Sequence, residues 1–268
     1  MKLRRNGHQS LVLLFLFLPA VLRAEVGMSL GVEYYNLTET LENQGELVDE
    51  TGPRYVLGVY WKQERPVGWS GRYDGEFYTG NVDYDGETQL GDPYQTTTEY
   101  LGTSQEATLV RGWSLSNNHH IQAMGTLGME WFRRTIVNGG DQVEDFRILY
   151  ARLGLGYSVR PVHGFSVDGG IKYPFRVLED AHLGELGLTS NPTLQPKGLP
   201  SLYGSVEYNF SKELGLQLYY DSYRFGTSDP VTAVASTTIG TCTAGSTCSI
   251  IQPQTDIYRL GLLLRAAF

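Results

Sequence analysis

The last residues, Asp256-Ile257-Tyr258-Arg259-Leu260-Gly261-Leu262-Leu263-Leu264-Arg265-Ala266-Ala267-Phe268, alternate in character along their length. From Tyr258 onward every second residue is apolar: Tyr258, Leu260, Leu262, Leu264, Ala266 and Phe268 share one face, while Arg259, Gly261 and Arg265 share the other. A period of two is the signature of a β-strand, whose successive side chains point to opposite sides. An unbroken apolar face behind a face that carries arginines suits a strand with lipid on one side and a polar interior on the other.

The pattern repeats upstream. Apolar residues alternate from Met28 to Tyr34, Tyr55 to Trp61, Trp69 to Phe77, Ile121 to Trp131, Leu149 to Val159, Phe165 to Phe175, Leu202 to Phe210 and Leu214 to Tyr220. A less regular segment runs from Thr96 to Leu115, where Arg111 falls on the apolar parity and predicts a bulge. Short turns fall near 63–67, 116–119, 160–164 and 211–213, and long polar segments at 38–53, 83–95, 137–144, 178–198 and 226–254. This predicts an all-β chain: an antiparallel, up-and-down transmembrane β-barrel of about ten strands, with short periplasmic turns, long extracellular loops and both termini periplasmic. Trp61, Trp69 and Trp113 then lie near the periplasmic interface and Trp131 near the outer one. The terminal strand resembles the closing strand of Gram-negative outer-membrane barrels, whose final Phe the assembly machinery reads. The resemblance implies that Tyr258, Leu260, Leu262, Leu264 and Phe268 form the assembly signal.

Composition narrows the field further. The 268 residues carry 32 Gly and 18 Tyr but only 19% charged residues, with a mean hydropathy of −0.24. The one long apolar run, Leu11 to Leu18, is too short for a helical span and follows Lys2, Arg4 and Arg5. It reads as a signal peptide over 1–24, leaving 25–268 as the barrel. Losing Lys2, Arg4, Arg5 and Arg23 with it takes the net charge from −8 to −12. So acidic a chain, with no basic cluster after the leader, is not built to bind nucleic acid. Cys242 and Cys248, alone in an exported Ser/Thr/Gly-rich segment, are expected to pair as a disulfide.

On the inward parity stand eight acids, Glu33, Asp74, Glu76, Glu106, Glu130, Asp168, Glu207 and Asp221. Eight bases face them: Lys62, Arg72, Arg134, Arg152, Lys172, Arg176, Arg259 and Arg265. Balanced charges across so narrow a barrel predict a lumen closed by ion pairs rather than a selective pore.

Function on such a scaffold sits in the outer loops. Asp83 and Asp85 follow the third strand, and Asp180 and His182 follow the seventh. Here the sequence resembles the omptins, ten-stranded outer-membrane proteases with an Asp-x-Asp pair in the second outer loop and an Asp-x-His pair in the fourth. The resemblance implies that His182 is a general base, that Asp180 orients it, and that Asp83 and Asp85 hold the attacking water. Leu178 stands where omptins place an acid for basic substrates, so that specificity is not implied. The leading expectation is nevertheless a surface or structural barrel whose loops bind an extracellular partner, with omptin-like hydrolysis second and a narrow pore third. Arg133, outward on the fifth strand, is expected to meet lipopolysaccharide phosphate. No metal or cofactor is expected, since neither His119-His120 nor the Asp83, Asp85, Glu87, Asp92 series has ligand spacing. The expected surroundings are outer-membrane lipid, lipopolysaccharide and the barrel-assembly machinery, and the expected state is a monomer.

Overall fold

A computed structural model of the chain describes residues 24–42, 45–63, 65, 67–87, 92–137, 142–159, 164–240 and 242–268. The predicted signal peptide lies, but for Ala24, outside them. The described residues form strands and turns and no helix. Seven long strands come first: β1 (Ala24–Leu41), β2 (Gly45–Gln63), β3 (Gly68–Glu87), β4 (Pro93–Ser114), β5 (His119–Ile136), β6 (Gln142–Val159) and β7 (Phe165–Asp180). Then come β8 (Lys197–Leu199), β9 (Ser201–Asn209), β10 (Leu214–Gly226), β11 (Val231–Val234), β12 (Thr247–Ile250) and β13 (Gln254–Ala267). Each long strand pairs antiparallel with the next, β13 pairs with both β1 and β10, and the sheet closes on itself. Counting β8 and β9, separated only by Pro200, as one stave gives a ten-stranded barrel. β11 and β12 form a separate hairpin.

The outward face carries an apolar belt in its half nearer the termini. Leu30, Leu57, Leu127, Leu153, Leu155 and Leu262 are exposed there, as lipid-facing side chains of a membrane barrel must be. Beyond the belt the staves continue as strand well past the membrane. The described residues of the segments 38–53, 83–95 and 137–144, expected as loops, are therefore mostly paired wall: Thr38 opposes Asp49, Asp83 opposes Thr97, and Arg134 opposes Glu144. Here the alternation inverts. Leu37, Val48, Val82, Tyr84 and Ile136 are buried inside, while Asn81, Asp83, Asp85 and Glu99 face water. A water-facing barrel buries its apolar residues inwards, so a lipid-face pattern cannot be read there.

The register of β4 is unbroken against both neighbours, so the bulge expected near Arg111 is absent. Arg111 points outward at the periplasmic edge, its guanidinium 5.6 Å and 5.7 Å from the rings of Trp69 and Trp113, reaching past the apolar belt to the interface. A bulge does occur in β7, where Tyr150 opposes Pro174 but Leu149 opposes Arg176. Pro174 has no N–H to give the ladder, and the extra residue, Phe175, flips the parity beyond it. Arg176 is consequently exposed on the outer face and not in the lumen.

Inside, aromatic rings lie over glycines of the adjoining strands. A Cβ on Gly102 would fall 2.4 Å from the Tyr78 ring, and one on Gly128 would fall 2.3 Å from that of Tyr150. Only glycine permits so close an approach. The rings of Tyr35, Tyr78, Tyr100, Phe132, Phe146, Tyr150 and Tyr223 form one buried core across the barrel.

Candidate functional site

At the outer end, the two longest connections fold together. Residues 181–194 and 231–250 share a small apolar core of Ala181, Leu183, Leu188, Leu194, Ala233, Ala235 and Cys248. The Cys242–Cys248 disulfide is formed, with Cα atoms 6.0 Å apart. Backbone bonds stitch the two connections, Thr189 N–H to Val234 O at 2.8 Å and Ser236 N–H to Gly187 O at 2.7 Å. Gln252 ties this cap to the barrel by donating to Glu39 Oε1 at 3.0 Å.

His182 lies where β7 enters the cap. The Asp180 carboxylate accepts the His182 backbone N–H at 3.1 Å and the Asn191 amide at 2.5 Å, which holds His182 in the left-handed region at φ 47°. Non-glycine residues enter that region only when neighbours hold them there. The ring is fixed at both ends, Nε2 3.0 Å from Asp145 Oδ2 and Nδ1 3.5 Å from Glu185 Oε1. Arg133 completes the group by donating Nε and Nη2 to the two Asp145 oxygens at 3.1 Å and 2.8 Å. The hydrogen bond to Asp145 raises the His182 pKa, and the nearby Asp180 and Glu185 carboxylates act in the same direction. Burial pushes the Asp145 carboxyl up, but the bonds from Arg133 and His182 outweigh it and hold it below its usual range. Both imidazole nitrogens thus face carboxylates and not an open reaction space.

The residues singled out by the omptin resemblance do not converge. Asp83 and Asp85 face outward on β3, where Gln95 donates to Asp85 at 3.0 Å. β3 and β7 are four staves apart, about 19 Å along the sheet at the usual strand spacing. After the β7 bulge, Asp180 also follows the outward register. Arg133 faces outward as expected, but its guanidinium is engaged by Asp145. Arg147 and Arg176 stand exposed on the outer face of the next two strands.

The structure gathers most of the lumen charges into linked groups. Arg152 bridges Glu106 and Asp221 at 2.7 Å and 2.8 Å, Lys172 reaches Asp221 at 2.7 Å, and Arg259 joins Asp221 to Glu130. Towards the termini, Arg72 pairs with Asp74 at 2.7 Å, Arg265 lies 3.5 Å from Glu207, and Lys62 pairs with Glu25 at 2.7 Å. Asp168 accepts from Ser205, and Glu76 borders a small chamber beside Arg72. Glu33 pairs with Arg54, which the sequence reading missed; its guanidinium carbon stacks 3.8 Å from the Tyr35 ring and 4.2 Å from that of Tyr78. Also missed was the group around Arg134, whose guanidinium holds Glu50 at 2.8 Å, Glu39 at 2.9 Å and Glu144 at 2.7 Å. All four missed residues lie in or at the edge of segments that read as polar loops. Glu179, only 1% exposed, has both carboxylate oxygens buried with no hydrogen-bond partner among the described residues. Burial pushes its pKa well above the usual carboxylate range, with Glu144 and Glu39 adding to the rise.

No family model and no curated protein sequence matches the chain. Among solved structures it resembles the outer-membrane protease OmpT from Escherichia coli, with a TM-score of 0.53 and 11% identity over 91% of this chain and 96% of that one. An outer-membrane channel from Pseudomonas putida F1 aligns with a TM-score of 0.41 and 10% identity over 90% and 95% of the two chains. The autotransporter translocator domain of NalP from Neisseria meningitidis aligns at 0.37 and 10% over 89% and 88%. The first likeness shows the fold, a Gram-negative outer-membrane β-barrel of omptin-like topology. With its apolar outward belt, that fold places the chain in the outer membrane.

Proposed function

We propose that the protein is a plugged outer-membrane barrel that presents a disulfide-stapled cap as a binding surface for an extracellular partner. The observation that carries this reading is the cap itself: two connections that share an apolar core and stand on a lumen packed with buried rings and ion pairs. A rigid display platform needs a cap of this kind, whereas an open pore needs a clear lumen. Against hydrolysis stand the outward Asp83 and Asp85 and the doubly engaged His182.

In this reading Arg133, Arg147 and Arg176 face the phosphates of lipopolysaccharide at the outer leaflet, Arg147 and Arg176 being the better placed because Asp145 holds Arg133. The assembly machinery reads Tyr258, Leu260, Leu262, Leu264 and Phe268, and the barrel works as a monomer. Planar-bilayer recording and a quenched-fluorescent peptide library, run on protein refolded with lipopolysaccharide beside Asp83→Ala and His182→Ala variants, test the reading. It expects no stable ion steps and no turnover above the variants. Regular conductance steps would replace it with a pore, and turnover lost in both variants would replace it with a hydrolase.

A further inference from the structure

The lumen differs along its axis. Towards the cap it is filled by side chains such as Arg54, Tyr78, Tyr100 and Phe146, all but fully buried. Towards the termini it opens into a cavity of about 640 Å³, which meets a smaller chamber of about 90 Å³ at Arg72. The larger volume falls within the range that holds small organic ligands, about 300–1,000 Å³. Its mouth faces the periplasm, away from the cap.

The charge of this cavity opposes that of the chain as a whole. Lys62, Arg65, Arg72 and Lys212 border it against Glu25 and Glu207. Glu25 occupies Lys62 at 2.7 Å, Asp74 occupies Arg72 at 2.7 Å, and Glu207 lies 3.5 Å from Arg265. Arg65 and Lys212 meet no carboxylate among the described residues, and both are exposed at the rim. On its walls, Gln122, Ser158 and Asn209 offer hydrogen-bonding groups. On β2, β3 and β4 the outer wall carries the opposite sign, with Asp49, Asp83, Asp85 and Glu99 on its outward side. Surplus cations at the mouth of a low-dielectric cavity concentrate anions there.

We propose that this inner mouth is a binding site for a small organic anion of the periplasm, its acidic group drawn in and met at the rim by Arg65 or Lys212, which stand on separate turns, and its polar body by Gln122, Ser158 and Asn209. The test is calorimetric titration of the full barrel in phospholipid nanodiscs with citrate and, separately, with glucose 6-phosphate, at low and at physiological salt. Saturable one-to-one binding that weakens with salt is expected for at least one probe; a preference for citrate assigns a carboxylate ligand and the reverse a phosphate ester. The double variant Arg65→Ala/Lys212→Ala should weaken binding at least about tenfold, and Ser158→Trp should abolish it by filling the cavity. Asp83→Asn/Asp85→Asn, on the outer wall, should leave it unchanged. No saturable binding of either probe, or binding unaltered in the double variant, overturns the proposal. Both rim positions are exposed, so the double variant keeps the test valid even if Ser158→Trp does not fold.

Discussion

Replacing Arg134 with leucine is the most searching test of how the outer half of the barrel is held. Its side chain is 2% exposed and supplies the shared cation for Glu39, Glu50 and Glu144. Charge-assisted bonds are worth about 1.5–3 kcal/mol each, so simple addition gives about 5–9 kcal/mol. Removing one partner of a buried ion pair costs about 3–5 kcal/mol in practice, because the orphaned carboxylates can neutralise themselves with protons. That escape makes the loss depend on pH. Burial, opposed by Arg134 and reinforced by Glu144 and Glu50, already pushes Glu39 up to about 7. The variant should bind about one more proton in its native state than the wild type does. Extra native protons stabilise as pH falls, by about 1.4 kcal/mol per unit per proton. Arg134→Leu should therefore be about 4 kcal/mol less stable than the wild type at pH 7.5, and should recover about 3 kcal/mol of that by pH 5.5. Urea titrations in lipid vesicles, followed by tryptophan fluorescence at both pH values, measure this. A loss under about 0.5 kcal/mol at pH 7.5, or one of equal size at both pH values, would show that Arg134 does not hold the three carboxylates in this way.

Other outcomes follow from the same physics. Because the pKa of native Glu179 is raised, the wild type loses stability as pH climbs from the ordinary carboxylate range towards the native value. Glu179→Gln should thus match the wild type at pH 5 and exceed it increasingly towards pH 8, as read from urea midpoints. Gly102→Val should drive the Tyr78 ring from its place, breaking its 2.5 Å bond to Glu130 and its stacking on Arg54. A loss of about 2–4 kcal/mol in the same assay is expected. Cys242→Ser/Cys248→Ser should loosen the cap alone, by about 2 kcal/mol for so short a loop. Amide exchange should rise across 231–250 while the barrel's urea midpoint stays unchanged.

The closing strand, the count of ten staves and the positions of the periplasmic turns were legible because lipid imposes one rule on the outward face. That rule stops above the belt. Leu37, Val48, Val82 and Tyr84 alternate as regularly as the lipid-facing residues do, but with the opposite sense, so a search for outward apolar residues sees only polar loops. Glu39, Glu50, Arg54 and Glu144 were lost with those segments. Arg176 was misassigned because one extra residue at Phe175 shifts the parity, and Pro174 was the available signal. The disulfide needed only two cysteines in an exported chain. The Asp145, His182 and Arg133 group, by contrast, joins three strand ends whose alignment depends on that bulge, and local spacing does not encode it.

The inversion along each stave has a consequence for how the gene can vary. Walking up β1, an aspartate is costly at Leu30 or Val32, which lie in oil, but harmless at Thr38, which lies in water on the same side of the same strand. On the opposite side buried apolar residues such as Leu37 appear at the same height, above Ser29 and Glu33 and beside the buried Glu39. A saturation-mutagenesis map should therefore show two interleaved profiles that exchange phase part-way up the wall. The height of that exchange around the ten staves would trace the outer surface of the membrane from sequence tolerance alone.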